Sequence, residues 1–224
     1  MASLDQQKDV GEKVGTVLSS TEQFLEKYKN YLIYGVVAIL LVTVMYFGYK
    51  QLYLQPLQEE AQGQMYVAEQ YFRMDSLSLA LHGDGNNLGF LQIIEEYGNK
   101  AGDVVYFYAG LCQYHLGDYE GAIGNLRNFE VGDEILAARA LCCIGDAYVA
   151  LENYTTAIDY FLKAANYRDN AYSARYLLRA GLVYETLNKP AEAMDVYQRI
   201  KNHYGQTTEG REVDKYIGRI NSTL

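Results

Sequence analysis

Small residues recur at a nearly constant spacing through the second half of the chain. Gly110, Gly145 and Gly181 are separated by 35 and 36 residues, and an alanine follows each of them 12 residues later. A period of this length is typical of stacked helix pairs, because a single pair cannot bury its apolar face alone. We therefore expect each glycine on the first helix of a pair and each alanine on the second, where small side chains let the two backbones approach closely.

Turn residues separate the predicted helices of each pair. Gly117-Asp118, Glu152-Asn153 and Asn188-Lys189-Pro190 occupy these turns, and Pro190 fits the first turn of a helix, where a missing N–H does no harm. Large side chains are expected to fill the spaces between helices. They are Leu116, Tyr119, Tyr148, Leu151, Tyr154, Phe161, Tyr184, Leu187 and Tyr197.

Helices are also predicted at both ends of the repeats. Residues 88–97 are expected to form the second helix of a degenerate fourth unit, with residues 57–75 as its partner and residues 81–89 as the loop between them. Pro56 could mark a bend. Residues 209–221 place apolar residues on one face, which is typical of the capping helix that such stacks need for solubility.

Residues 31–49 form an uncharged apolar segment near the start of the chain. Nineteen residues span about 28 Å as a helix, close to the hydrocarbon thickness of a bilayer. Tyrosines flank the segment on both sides, as at membrane interfaces. A cleaved signal peptide would need a small-residue cleavage site, and a buried soluble helix would show a polar stripe. We predict a tail at 1–29, a transmembrane helix at 30–53 and a repeat domain at 54–224.

Basic residues near the ends of the segment predict its orientation. Lys8, Lys13, Lys27 and Lys29 precede it, whereas Lys50 alone follows it closely. Lysine and arginine are enriched on the cytoplasmic side of membrane helices. The N-terminus is therefore expected in the cytoplasm and the C-terminal domain outside, which is the periplasm in a Gram-negative bacterium.

Charge and composition argue against several function classes. Residues 51–224 hold 14 Lys and Arg against 23 Asp and Glu, and an acidic surface repels nucleic-acid phosphates. Cys112, Cys142 and Cys143 have no Cys-x-x-Cys spacing, and the pattern does not assign them a role beyond small buried thiols. The three histidines are isolated, and the Asp/Gly/Asn run at 82–87 is typical of a turn. We expect no enzyme, no metal, no cofactor and no small-molecule substrate.

The repeat segments resemble the tetratricopeptide repeat family. Residues 141–164 match its pattern through Gly145, Tyr148, Ala157, Phe161 and Ala164, and residues 177–200 match it at four positions. Residues 106–129 match it less well, with Gln113 where a tyrosine is expected, and all three segments lack the family's first tryptophan and its closing proline. The resemblance implies an all-α protein, with an N-terminal transmembrane helix followed by an α-solenoid of helix-turn-helix repeats.

The family binds partner proteins in a concave groove, which certain first-helix positions line. Carried onto this sequence, they are Phe107, Leu111, Tyr114, Arg139, Cys142, Asp146, Arg175, Arg179, Leu182 and Glu185. One branch of the family clamps a C-terminal carboxylate, and Arg175 and Arg179 occupy two of its places. The mixture of apolar and charged residues favours extended or partly unfolded protein segments as ligands; alternatively, these side chains serve packing alone.

Nearly the whole chain resembles the YfgM-like proteins, ancillary subunits of the bacterial Sec translocon. Residues 79–103 and 108–123 carry this resemblance most strongly. It implies a single-pass inner-membrane protein that contacts translocon subunits, secretory chains and a periplasmic chaperone. Two alternatives stay open: a scaffold for another cell-envelope assembly, such as an outer-membrane or secretion complex, and a cytosol-facing organelle receptor with the opposite topology.

Overall fold

The computed structural model of the chain describes residues 27–130 and 132–222. All regular structure in these residues is helical, so the predicted all-α class is confirmed. The chain divides into two compact units, Met1–Pro56 and Leu57–Leu224. Residues 1–26, which contain most of the predicted tail with Lys8 and Lys13, lie outside the described residues.

A long apolar helix dominates the described part of the first unit. Helix α1 covers residues 27–49 and leads into a π-helical turn, Lys50–Leu54. Helical residues run from Lys27 to Arg73, and by length and composition this is one helix that could cross a membrane. The Thr43 hydroxyl donates to the carbonyl of Ile39 at 2.8 Å, so this polar group of α1 has an internal partner.

The π-helical turn lies directly before Pro56. The N–H of Gln55 donates to the carbonyl of Lys50, five residues back. A proline lacks the N–H of an α-helical turn, and its ring would collide with the carbonyl four residues before it. The wider turn therefore lies where an α-helix would be disfavoured.

The second unit is built from helices α2 to α11. Their bounds are α2 Gln55–Arg73, α3 Leu77–His82, α4 Phe90–Tyr97, a 3₁₀ turn Gly98–Ala101, α5 Val104–Leu116, α6 Tyr119–Arg127, α7 Glu134–Ala150, α8 Tyr154–Tyr167, α9 Ser173–Thr186, α10 Pro190–His203 and α11 Thr208–Asn221. The pairs α5/α6, α7/α8 and α9/α10 are the predicted repeats, and α11 packs on α10 and α9 as the predicted cap.

The turns within the pairs use the residues that the sequence indicated. The side chains of Asp118 and Asn153 accept N-cap hydrogen bonds at the starts of α6 and α8. Gly117 adopts the left-handed conformation with φ of 88°, which suits a residue without a Cβ. Pro190 stands in the first turn of α10.

The repeated glycines accommodate large side chains from the second helix of the same pair. Each faces a residue 16 positions later: Gly110 faces Leu126, Gly145 faces Phe161 and Gly181 faces Tyr197. All three partners are fully buried. We expected each glycine to let two backbones approach closely. The space beside each glycine is instead filled mainly by a large side chain of the second helix. The alanines 12 residues after each glycine are fully buried, as expected.

Leu116 was wrongly predicted to fill space between helices. It is the last residue of α5, where the chain turns toward α6, and it is 47% exposed. The other eight predicted residues are buried or half-buried in the hydrophobic clusters of the repeats.

The N-terminal end of the stack contains one helix that the sequence pattern missed. Residues 81–89 were predicted as a loop, but Leu81 and His82 belong to the short helix α3. Ala80 and Leu81 are buried against the same cluster as Phe90 of α4. Six residues give too short a periodic signal to distinguish from a loop. The predicted helices at 57–75 and 88–97 are present as α2 and α4.

Polar contacts between residues about one repeat length apart connect the helices of the stack. Equivalent positions of adjacent repeats lie side by side in a stack, so the partners are 33 or 34 residues apart. These contacts are Arg127–Tyr160, Arg168–Glu134, Arg175–Glu209, Arg179–Asp146, Arg199–Asn166 and Arg219–Glu185. Arginine, with its long stem and forked donor group, suits such bridges. Each is worth little alone at a surface, but together they set the register between repeats.

Candidate protein-binding groove

Three first helices, α5, α7 and α9, line a single concavity of about 540 Å³, which we call the groove. Seven of the ten residues that the family positions predict lie on its wall. They are Leu111, Tyr114, Arg139, Cys142, Asp146, Arg175 and Arg179. Residues spread over three repeats thus share one surface.

Phe107, Leu182 and Glu185 do not line the groove. Phe107 is buried against Phe129, with ring centroids 5.1 Å apart, and the guanidinium of Arg139 lies 5.8 Å from its ring. Glu185 accepts two hydrogen bonds from Arg219 of the capping helix, at 2.9 and 2.8 Å. Phe107 therefore supports a groove residue, and Glu185 holds α11. Any contact of either with a partner protein stays a prediction.

Six further residues complete the lining and were missed from the sequence. They are His115, Ile135, Leu136, Cys143, Tyr172 and Tyr176. Ile135 and Tyr172 are 51% and 49% exposed, so the groove offers apolar surface at the starts of two helices. A signal for Leu136 was present, because it precedes Arg139, Cys143 and Asp146 at helical spacing on one face of α7.

Asp146 is the only carboxylate on the groove wall among the described residues. Its side chain is 14% exposed and forms an ion pair with Arg179 of the next repeat. Burial raises the pKa of Asp146 to about 6, and the attraction of Arg179 offsets only part of this rise. Burial, the largest single effect, lowers the pKa of Arg179, but Asp146, Cys142, Tyr114 and Cys143 together outweigh it, and the net shift is upward.

Three guanidinium groups make the groove locally cationic, although the chain as a whole is acidic. Arg175 is held by Glu209 of α11 at 3.1 Å, and Arg179 by Asp146. Arg139 forms no ion pair with any residue in the described ranges, so its charge is available to a ligand. An arrangement of arginines, tyrosines and exposed apolar groups is typical of protein-binding surfaces.

The cysteines provide no reactive thiolate. All three are free; Cys112 and Cys142 are buried, and Cys143 is half-buried at the groove wall. Burial raises the pKa of Cys112 to about 12 and that of Cys143 to about 11, so both stay protonated at neutral pH. Burial raises the pKa of Cys142 still further. These thiols act as small apolar side chains.

The Asp/Gly/Asn run at 82–87 is an internally bonded turn. The Asp84 carboxylate accepts hydrogen bonds from the Tyr71 hydroxyl at 2.7 Å and from the N–H groups of Asn86 and Asn87 at 2.9 and 2.7 Å. These bonds, the one from Tyr71 first, hold the pKa of Asp84 well below its usual range. Within residues 27–130 and 132–222, no three His, Cys, Asp or Glu side chains are grouped to hold a metal ion.

Comparisons with known proteins agree with this geometry. One tetratricopeptide repeat model matches residues 104–129 and 175–207, and a second matches residues 138–170. No curated protein matches the chain in sequence. Two crystal structures of MamA are similar in fold. The first has 20% sequence identity and a TM-score of 0.53, and the match covers 73% of this chain and 92% of that chain. The second has 19% sequence identity and a TM-score of 0.50, and the match covers 70% of this chain and 93% of that chain. Residues 104–129, 138–170 and 175–207 are tetratricopeptide repeats, stacked to form the groove.

Proposed function

We propose that this chain is a membrane-anchored protein-interaction module whose groove binds an extended segment of a partner protein. Three repeats combine Arg139, exposed apolar groups such as Ile135 and Tyr172, and the Asp146–Arg179 pair on one surface. This shared surface is the observation that carries the proposal. A module of this kind works by bringing proteins together and needs no catalytic group.

We further propose that the module is an ancillary subunit of the Sec translocon, in the inner membrane with its repeats in the periplasm. There it would link secretory chains to a periplasmic chaperone. The resemblance of nearly the whole chain to the YfgM-like proteins supports this role, and the lysines before residue 31 support the orientation. An uncharged helix of 19 residues is long enough to anchor the chain. Secretory chains emerge unfolded, and a groove with both apolar and charged walls suits such ligands.

Photo-crosslinking in native membranes tests the groove and its partners together. A benzophenone amino acid in place of Tyr172, which lines the groove, should capture translocon subunits, a chaperone or secretory chains, identified by mass spectrometry. The matched control is Tyr66 of α2, which is 59% exposed and is not part of the groove wall. Identical adducts from both positions, or none from Tyr172, would contradict groove binding. Adducts with another envelope assembly would support an interaction module but refute the translocon role.

Reporter fusions test the orientation. Alkaline phosphatase fused after the last residue should be active, because that enzyme folds only outside the cytoplasm, and green fluorescent protein at the same place should stay dark. Fusions after Lys29 should give the reverse pattern, because this residue precedes the apolar segment. Fluorescence from the C-terminal fusion would place the repeats in the cytosol and favour a receptor on that side.

A further inference from the structure

The second helix of the first repeat is shorter than its counterparts. Helix α6 has 9 residues, whereas α8 and α10 have 14 each. Five missing residues correspond to about 7.5 Å of helix at 1.5 Å per residue. After Arg127 the backbone leaves the helix, and the α7 residues Ala137, Ala140, Leu141 and Ile144 line the space that opens there.

A cleft of about 580 Å³ lies where α6 stops, and we call it the α6 cleft. Its main apolar walls are Leu126, Phe129, Leu141, Ile144, Tyr160 and Tyr167. On α7, the cleft residues Leu141 and Ile144 alternate with the groove residues Arg139, Cys143 and Asp146. At about 100° per residue, these two sets lie on opposite sides of the helix. The α6 cleft is therefore separate from the groove.

The walls of the cleft are apolar and its rim is aromatic. Leu126, Ile144 and Phe129 are buried at its base, whereas Tyr167 is 49% exposed. Tyr160 stacks on Tyr148 with ring centroids 5.5 Å apart. An apolar base beside an exposed tyrosine suits the burial of a large side chain from another protein.

Two cations flank Tyr160 without a carboxylate partner. Arg127 donates to the hydroxyls of Tyr148 at 2.6 Å and Tyr160 at 3.2 Å, and the ammonium of Lys163 lies 5.0 Å from the Tyr160 ring. Neither forms an ion pair with a residue in the described ranges, although Glu130 also lines the cleft. In a chain of net charge −9, two neighbouring cations without acidic partners indicate a ligand that brings its own carboxylates.

We propose that the α6 cleft is a second protein-docking site, which takes a segment of a partner protein with an aromatic or branched apolar side chain beside acidic residues. The apolar side chain enters the space that the missing part of α6 leaves open. The carboxylates pair with Lys163 and Arg127 at the rim. The module can then hold two proteins at once, one on each side of α7.

A labelled peptide tests this site on the full chain in detergent micelles. The probe is a short fluorescein-labelled peptide with one phenylalanine and one leucine flanked by glutamates, measured by fluorescence anisotropy. Lys163→Glu should weaken binding about tenfold, because it places like charges opposite each other. Lys189→Glu makes the same charge change at the exposed start of α10, outside the cleft, and should leave binding unchanged.

A second variant separates apolar docking from charge attraction. Ala137 lines the cleft and is half-buried, so Ala137→Phe should fill part of the space and also weaken binding. Arg175→Ala measures any binding of the same peptide in the groove, so the cleft accounts for the part of the affinity that Lys163→Glu and Ala137→Phe remove and Arg175→Ala leaves. The proposal would be overturned if Lys163→Glu and Lys189→Glu lowered the peptide affinity equally, or if Arg175→Ala alone lowered it. A benzophenone amino acid at position 167 that links only a second copy of this chain would identify the cleft as a self-association surface and refute the partner assigned here.

Discussion

Gly181→Ala should destabilise the repeats by about 1–3 kcal/mol, because the added methyl group has no space. A Cβ at this position would come closer than 3.0 Å to three atoms of the Tyr197 ring. That ring cannot swing aside easily, because it is fully buried and its hydroxyl donates to Glu185 at 2.5 Å. Circular dichroism should show the loss as a lower Tm, by about 2–4 °C for each kcal/mol in a domain of this size.

Gly124→Ala is the matched control for this substitution. Gly124 is an exposed residue inside α6, and a Cβ there would meet nothing within 4 Å. Alanine has a higher helix propensity than glycine, so this variant should be more stable than the wild type by about 0.5–1 kcal/mol. The two substitutions are chemically identical, so opposite signs would isolate the role of the space around Gly181.

A double variant tests whether the Tyr197 ring is the group that clashes with a methyl group at position 181. In a Tyr197→Leu background, which removes the ring, Gly181→Ala should cost less than about 1 kcal/mol, because contacting residues couple by about 0.5–3 kcal/mol. If Gly181→Ala costs the same in both backgrounds, the packing account of the repeated glycines is wrong.

The sequence predicts the repeat fold well because each signal is local or periodic. The turns at Gly117-Asp118, Glu152-Asn153 and Asn188-Lys189-Pro190 depend on backbone preferences that neighbouring residues set, and the glycine spacing repeats three times. The helix α3 lacks both properties, since it has six residues and occurs once. Its apolar residues acquire a face only when α4 and α5 pack against it.

The groove is predicted less completely because its lining depends on contacts between repeats. Family positions identify Arg139 and Asp146, which line the same wall. They cannot show that Glu185 faces Arg219, since that depends on where the capping helix α11 ends up. The α6 cleft is likewise absent from the periodic pattern, because it arises from the early end of α6 after Arg127.

Asp146→Asn should stabilise the free protein at pH 7–8 by up to about 3 kcal/mol. The pKa of Asp146 is raised from 3.8 to about 6 in the folded chain, so the folded state binds this proton more tightly than the unfolded state. Below about pH 4 both states are protonated and the group has no effect. As the pH rises toward 6, Asp146 ionises first in the unfolded state, and the free energy of unfolding of the wild-type protein falls. Above about pH 6 Asp146 is ionised in both states, and the free energy of unfolding falls no further.

Melting curves of the two proteins between pH 4 and 8 should therefore diverge as the pH rises, with the Asn variant higher. Arg179 is about half exposed, so loss of its ionised partner costs little. Asp214→Asn is the control, because that carboxylate is 68% exposed in its ion pair with Lys201 and its removal should change stability by less than about 1 kcal/mol. Superimposable pH profiles for wild type and Asp146→Asn would contradict the account.

A carboxylate that weakens the free protein at neutral pH requires a reason other than folding. A titratable group in a cleft whose pKa is strongly shifted by burial and a specific charge partner is a candidate functional residue. On the groove wall, Asp146 sets the position of Arg179 and supplies an acceptor among three guanidinium groups. Asp146→Asn should therefore show gain and loss together: a higher Tm at pH 7–8, and fewer photo-crosslinked partners from position 172. A variant that gained stability and kept all its partners would remove Asp146 from the binding site.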